Sequence, residues 1–327
     1  MTIPINTAII KNESDIFFEK SLAEQPYRRI GQGFCGSVWA SSLEELSKGS
    51  SSTASKREDG GPGRSFLNDF QIHQSILQAL PERPQELVTI IVPKCYAFIP
   101  NDHTGWQDGK VLARFPPDYA ACNPLITERI PPMPKSVRPG VIEKFCPQTL
   151  TALPEQIKAD DKNRDCLIEE LGLRPQDYSS AMAKALAFLY WVAKIDANDI
   201  EIVLAPPSHN STDGAQFMSD FLGSHSLWIL DFDCCRPMSL DEAGVERAAW
   251  AFLRNDPFYP RPGRTNNRGL WEQFRTVFIE SSKLLVNHDT RDLPKQLMDR
   301  IEEMVETSEA DTPGGPWRGS RRRREEQ

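Results

Sequence analysis

The stretch IGQGFCGSVW, residues 30–39, orders the rest of the chain, because glycines at 31, 33 and 36 followed by Val38 give the spacing G-x-G-x-x-G-x-V. That spacing suits a hairpin tip with no Cβ in the way, where backbone N–H groups can approach phosphate oxygens and the chain can take positive φ. Val38 and Trp39 continue as strand formers where a dinucleotide-binding turn would open a helix. A glycine-rich hairpin that binds nothing has the same spacing, so the loop acquires meaning only through partners downstream.

Those partners follow in order. Residues 47–55 are Gly/Ser-rich in the manner of a flexible loop, and Lys56 comes where a third strand would bring a lysine back under the glycines, although a solvated lysine fits its charged neighbourhood equally well. Residues 58–64 are too rich in Gly and Pro for regular structure, and Ser65 is placed to cap a helix. Phe66, Phe70, His73, Leu77 and Leu80 then recur at helical spacing, with His73 on the packed face. Asp69 on this helix can pair with Lys56 or face solvent. Residues 94–99 predict a strand, 101–109 a polar hairpin, and 124–130 another strand that runs into the proline-rich hinge 131–140. Glu128 and Arg129 fall at the expected cleft mouth, as ligand groups or as a plain salt bridge.

The second half reads mainly helical. Residues 178–194 form a long apolar helix that leads into a loop bearing Asp196, Asp199 and Glu201, followed by the apolar residues 202–204. Another apolar strand, 227–230, ends in Asp231-Phe232-Asp233. Acids bounded on both sides by buried segments are costly unless paired, protonated or bound to a cation or ligand, which points to a functional cleft. Ser239 to Glu242 has the spacing of a capping box opening a helix to about Arg254, residues 255–262 (NDPFYPRP) break it, and 269–286 and 292–306 are helical again.

Composition bounds these readings. The 327 residues carry a formal charge of −8 and 39% hydrophobic residues, with nothing like a signal peptide or membrane span, so the sequence reads as soluble and cytoplasmic. Seven scattered cysteines without a C-x-x-C argue against a disulfide framework and a structural zinc site, and no metal ligand set is expected. Arg318 and Arg321 to Arg324 place five positive charges near the last residue, in a tail from 307 onward that lacks core-forming residues.

The order glycine loop, Lys56, helix with Asp69, proline hinge, Asp196 loop and Asp231 strand end resembles the protein-kinase-like fold over roughly residues 27–286. The resemblance implies an α+β, two-lobe architecture: an N-terminal extension 1–26, a small β-rich lobe 27–130 with a flexible insertion near 41–63, a larger mainly helical lobe 131–306, and a basic tail 307–327. Two departures stand out. The kinase pattern H-R-D-x-x-x-x-N is replaced by Lys194-Ile195-Asp196 with Glu201 at the metal-binding asparagine, and Asp231-Phe232-Asp233 lacks the glycine of D-F-G.

The runs KREDGGPGRS (56–65), ITERIPPMP (126–134), DANDIEIVLAP (196–206), LDFDCCRPMSLDEAG (230–244) and RNDPFYPRP (254–262) are also similar to a fungal domain often labelled "zinc finger protein". Some members of that family are arginine-containing cyclodipeptide synthases. The resemblance implies that arginyl-tRNA and a second aminoacyl-tRNA are condensed to a cyclic dipeptide for secondary metabolism, with no cofactor required and binding of ATP or Mg left open. On that reading Glu201 or Asp196 transfers protons, Asp199, Asp231 or Asp233 recognises the arginine cation, and Gly31, Gly33, Gly36 and Lys56 hold phosphates of the tRNA end. Two other classes remain open: a kinase-like phosphotransferase using Mg-ATP, and a catalytically inactive interaction module.

Overall fold

The glycine-spaced hairpin forms, with β1, Tyr27–Gln32, antiparallel to β2, Ser37–Ser41, and a Gly33 N–H to Gly36 carbonyl bond of 2.9 Å at its tip. The protein is described here by a computed structural model covering residues 26–33, 35–41, 53–60, 65–87, 90–107, 109, 111–140, 172–208, 214–255, 259–263 and 268–310. The N-terminal extension before residue 26, most of the 41–63 insertion and the basic tail after residue 310 lie outside the described residues.

Along β3, Thr53–Arg57, successive side chains point to opposite faces, and this alternation decides what each cation does. Lys56 turns toward helix α1, Phe66–Ala79, with Nζ 4.7 Å from the Phe66 ring centroid. Arg57 turns the other way, fully buried between Phe115 at 4.2 Å and Tyr119 at 4.7 Å, and beside the Asp59 carboxylate at 3.5 Å. Stacking on two rings and a nearby carboxylate offset the cost of burying the guanidinium. The third strand expected at Lys56 falls within the insertion expected near 41–63: residues 53–57 pair on both sides, with β2 and with β6, Pro124–Glu128.

Ser65 caps α1 as expected, accepting from the Asn68 N–H at 3.4 Å. Its buried face, Phe66 and Phe70, packs with Cys35, Cys95, Phe98 and Leu125. Full burial of such a ring contributes about 1.5–3 kcal/mol. A two-residue strand β4, Ile90–Ile91, follows, then β5, Cys95–Phe98, which completes a five-stranded sheet in the order β1-β2-β3-β6-β5. Where a polar hairpin is expected at 101–109 the structure has a 3-10 turn, Thr104–Trp106, and a second, Leu112–Arg114, follows it; Trp106, Val111 and Phe115 bury against Trp39 and Ile126.

The C-terminal part centres on helix α2, Pro175–Trp191, whose buried alanines join the main hydrophobic core while Tyr190 and Trp191 meet Phe278. Three strands join β4 in a second sheet: β7, Glu201–Ala205; β8, Gln216–Ser219; and β9, Gly223–Leu230, in the order β4-β9-β7 with β8 also on β9. Three more helices follow: α3, Glu242–Arg254; α4, Arg268–Lys283; and α5, Leu293–Ala310. The expected capping box is replaced by Asp241, which accepts from the Gly244 N–H at 2.9 Å and from the Ser239 hydroxyl at 2.6 Å. The last helix runs past Ser308, into residues expected to belong to the unstructured tail. The architecture is thus α+β, with a β-rich N-terminal part and most helices in the C-terminal part. Among the described residues no helix is long and apolar enough to cross a membrane.

Candidate functional site

Lys56 Nζ donates to Asp69 Oδ2 at 2.8 Å and to Asp231 Oδ1 at 2.7 Å, joining β3, α1 and the end of β9. Burial alone would lower the lysine's pKa; Asp69 and Asp231 more than reverse this and hold it well above the ordinary range. The second Asp69 oxygen accepts from the Phe232 N–H at 3.3 Å. Its neighbour Asn68 donates to the carbonyls of Asp233 at 2.8 Å and Cys235 at 3.1 Å. Two consecutive residues of α1 therefore grip both the donor and the acceptor sides of the 231–235 turn, and Asp231 sits there with φ 67°.

The glycine loop reaches the same turn. Cys35, between Gly33 and Gly36, is buried and its thiol donates to Asp233 Oδ2 at 3.1 Å. Ligating atoms of Cys35, Asp231 and Asp233 lie within 4.8 Å of one another. Burial raises the Asp231 carboxyl, Lys56 pulls it down, and the adjoining Asp233 pushes it up again. This trio has donor atoms that a thiophilic cation such as zinc would use, although a closed zinc site takes four ligands, and the charge such an ion would bring is already supplied by Lys56.

Of the three glycines, Gly36 has a structural cause of its own. A Cβ there would lie 1.8 Å from the Arg57 carbonyl oxygen, so the close approach of β2 to the end of β3 demands its absence. Gly33 is exposed with nothing within 4 Å of a built Cβ, and at Gly31 the nearest atom is Val38 Cβ at an ordinary 3.6 Å.

The second acid-bearing turn is laced to the first. Asp196 is buried, and its Oδ1 accepts from the Arg236 N–H at 2.9 Å and the Asn198 N–H at 3.2 Å. Its own N–H donates to the Arg236 carbonyl at 3.0 Å, and the Met238 N–H to the Lys194 carbonyl at 2.7 Å. Burial raises the Asp196 carboxyl and the two backbone N–H groups partly offset it. The Cys235 thiol, bonded to the Asn198 carbonyl at 3.4 Å, is pushed well up by burial and by Asp196 and Asp69, so it stays a thiol.

The five expected acids thus divide. Asp196 and Asp233 are buried, Asp231 is half-buried against Lys56, and Asp199 and Glu201 are exposed, Glu201 opposite Leu230 in the β7–β9 register. Glu128 and Arg129 do not stand at an open mouth. Both are buried, with the Glu128 carboxylate accepting from the Lys94 N–H at 3.1 Å and the Ser208 hydroxyl at 3.0 Å, which makes it a wall that ties two segments. His73 is a packed core histidine as expected, bonded to the Pro93 carbonyl at 2.7 Å and lowered by burial. A pocket of about 690 Å³ lies elsewhere, between the start of α2 and β8, and none of the expected site residues lines it.

Against this geometry stand the comparisons with known proteins. Residues 227–290 match a family described as "Zinc finger protein". The match covers the end of β9, the Asp231 turn, α3 and α4, less than half of the chain. Within it, Cys235 is buried with its thiol on the Asn198 carbonyl and His288 is exposed beside Asp289. No curated protein matches the chain.

Sequence reasoning missed Asn68, Asn255, Cys35 and Arg57. Asn68 had a legible signal, an amide beside the acid that pairs with Lys56; Cys35 lay inside the glycine motif itself, between two residues chosen for their lack of a side chain.

Proposed function

We propose that the chain has a protein-kinase-like fold put to a different use: a tRNA-dependent synthase that condenses arginyl-tRNA with a second aminoacyl-tRNA to an arginine-containing diketopiperazine, in the cytoplasm where charged tRNAs are found. The observation that carries the reading is the lacing of two acid-bearing turns, 196–199 and 231–235, beside a lysine whose charge is already matched by Asp69 and Asp231. Such a site supplies proton acceptors and cation-binding oxygens more readily than a metal-nucleotide seat.

The chemistry needs little else. Each step forms one C–N bond, breaks one ester C–O bond and moves a proton from the attacking amine to the departing tRNA hydroxyl. The ester brings the activation, so the protein has only to orient the reactants, take the proton and exclude water. Glu201 and Asp196 are the groups assigned to the proton; Asp199 and Asp233 are assigned to the guanidinium, which carboxylates bind through paired N–H bonds.

A second reading is favoured by the Lys56–Asp69 pair at 2.8 Å under a glycine loop, the arrangement a kinase-like phosphotransferase would use. Purified protein given pre-charged arginyl-tRNA and a second aminoacyl-tRNA separates the two. Release of the diketopiperazine without ATP, abolished by prior ribonuclease treatment, is the expected result. The same product from free amino acids and ATP with tRNA absent would overturn the mechanism, and Mg-ATP consumption without any cyclic dipeptide would favour phosphoryl transfer.

A further inference from the structure

We propose that Asn255 is a positioning residue whose side-chain amide clamps the 196–199 turn, in addition to that turn's ties to the Asp231 strand end. What that turn does rests on the synthase reading; the clamp itself rests on geometry. Asn255 follows α3 in the run RNDPFYPRP, whose sequence reads as a helix breaker, yet its side chain is buried. Its Oδ1 accepts from the Asp199 N–H at 2.5 Å, and its Nδ2 donates to the Ala197 carbonyl at 2.9 Å. Its backbone is anchored in turn, by its N–H on the Ala251 carbonyl at 3.0 Å and its carbonyl on Arg261 Nη2 at 2.6 Å.

The turn needs such a partner. Ala197 and Asp199 have φ of 51° and 61°, a region that residues with a Cβ rarely occupy unless neighbouring contacts hold them there. Between them, Asn198 is secured by its amide on the Cys234 carbonyl at 3.3 Å, and Asp196 by the Arg236 backbone. The loop is thus held by residues 234–236 and, through its side-chain amide, by Asn255. A primary amide offers an acceptor to one backbone group and a donor to the other at the same time. A carboxylate would keep the Asp199 bond and set an oxygen against the Ala197 carbonyl.

Asn255→Ala and the isosteric Asn255→Asp test this in the full chain. Hydrogen exchange of the Asp199 amide should speed up by about tenfold or more in the alanine variant, while amides of β9 keep their protection. Turnover of charged tRNAs to diketopiperazine should fall by about a hundredfold in kcat with KM for arginyl-tRNA unchanged, as misplacement of reacting groups predicts. If the alanine variant does not fold, the aspartate variant carries the same kcat and KM comparison. Unchanged Asp199 exchange, or faster exchange with wild-type kcat, would overturn the proposal. Absence of product from the wild-type protein would defeat the synthase reading alone, and Asp199 exchange against β9 exchange would still decide the clamp.

Discussion

Lys56 and Asp231 stand 175 positions apart in the chain and meet at 2.7 Å, and Asp69 completes the contact on the other side of the ammonium. Removing the lysine leaves two carboxyls facing each other in a largely dry space. Lys56→Met should therefore cost about 3–5 kcal/mol, the range for breaking a buried pair. Asp231→Asn in the same background should cost much less than it does alone, and urea denaturation of the single and double variants measures that non-additivity. Additive losses would show that the two groups do not act as a unit.

Gly36 and Gly33 belong to one motif and should respond oppositely to the same change. Gly36→Ala drives a methyl into the Arg57 carbonyl, at a cost of about 3 kcal/mol or more, whereas Gly33→Ala meets open space and should stay within about 0.5 kcal/mol. Thermal unfolding of the two proteins is enough to compare them. A tolerant Gly36 would mean that β2 can move off β3.

Glu201 is exposed at the start of β7, so Glu201→Gln keeps the shape and should leave the melting temperature unchanged. Diketopiperazine formation should drop by about two orders of magnitude, the scale of a lost general base. Near-wild-type turnover would shift the proton transfer to Asp196.

Both Asp196 and Asp231 have carboxyls raised above the ordinary value, chiefly by burial. A raised acid holds its proton more tightly in the folded state, so its favourable contribution is complete below the unfolded pKa of about 3.9 and is lost as pH rises through the folded value. Asp196→Asn retains an acceptor for the Arg236 and Asn198 N–H groups and removes the charge. Stability should then decline less steeply above about pH 4 than in the parent protein. His73 acts in the opposite sense: lowered by burial, it stabilises above its unfolded pKa of about 6.5 and withdraws that contribution on acidification, so the comparison is best made in a His73→Gln background.

Local patterns carried much of this in the sequence. The glycine hairpin, the Ser65 cap, Lys56 on a third strand and the acids at the end of β9 follow from turn chemistry and period, which need only neighbouring residues. The partners across the fold did not. Whether Glu128 lines a mouth or a wall depends on Ser208, and whether Asn255 merely ends a helix depends on Ala197 and Asp199. The same holds for Gly36, which looks like a ligand-facing glycine until the Arg57 carbonyl is placed behind it. Spacing reports what a residue permits; only a contact distant in sequence reports what it is used for.

The two-residue strand β4 has a consequence for how the chain is made. Ile90 and Ile91 lie among N-terminal elements, yet they pair in parallel with Leu227 and Trp228, and Ile91 packs with Trp228 and Ala205. At a synthesis rate of about 5–20 residues per second, these isoleucines wait on the order of ten seconds for their strand partner to be made. During that interval the five-stranded sheet can already be assembled while an apolar edge beside it stays uncovered. A nascent chain stalled between β6 and β9 should therefore be a better chaperone client than one stalled after α3.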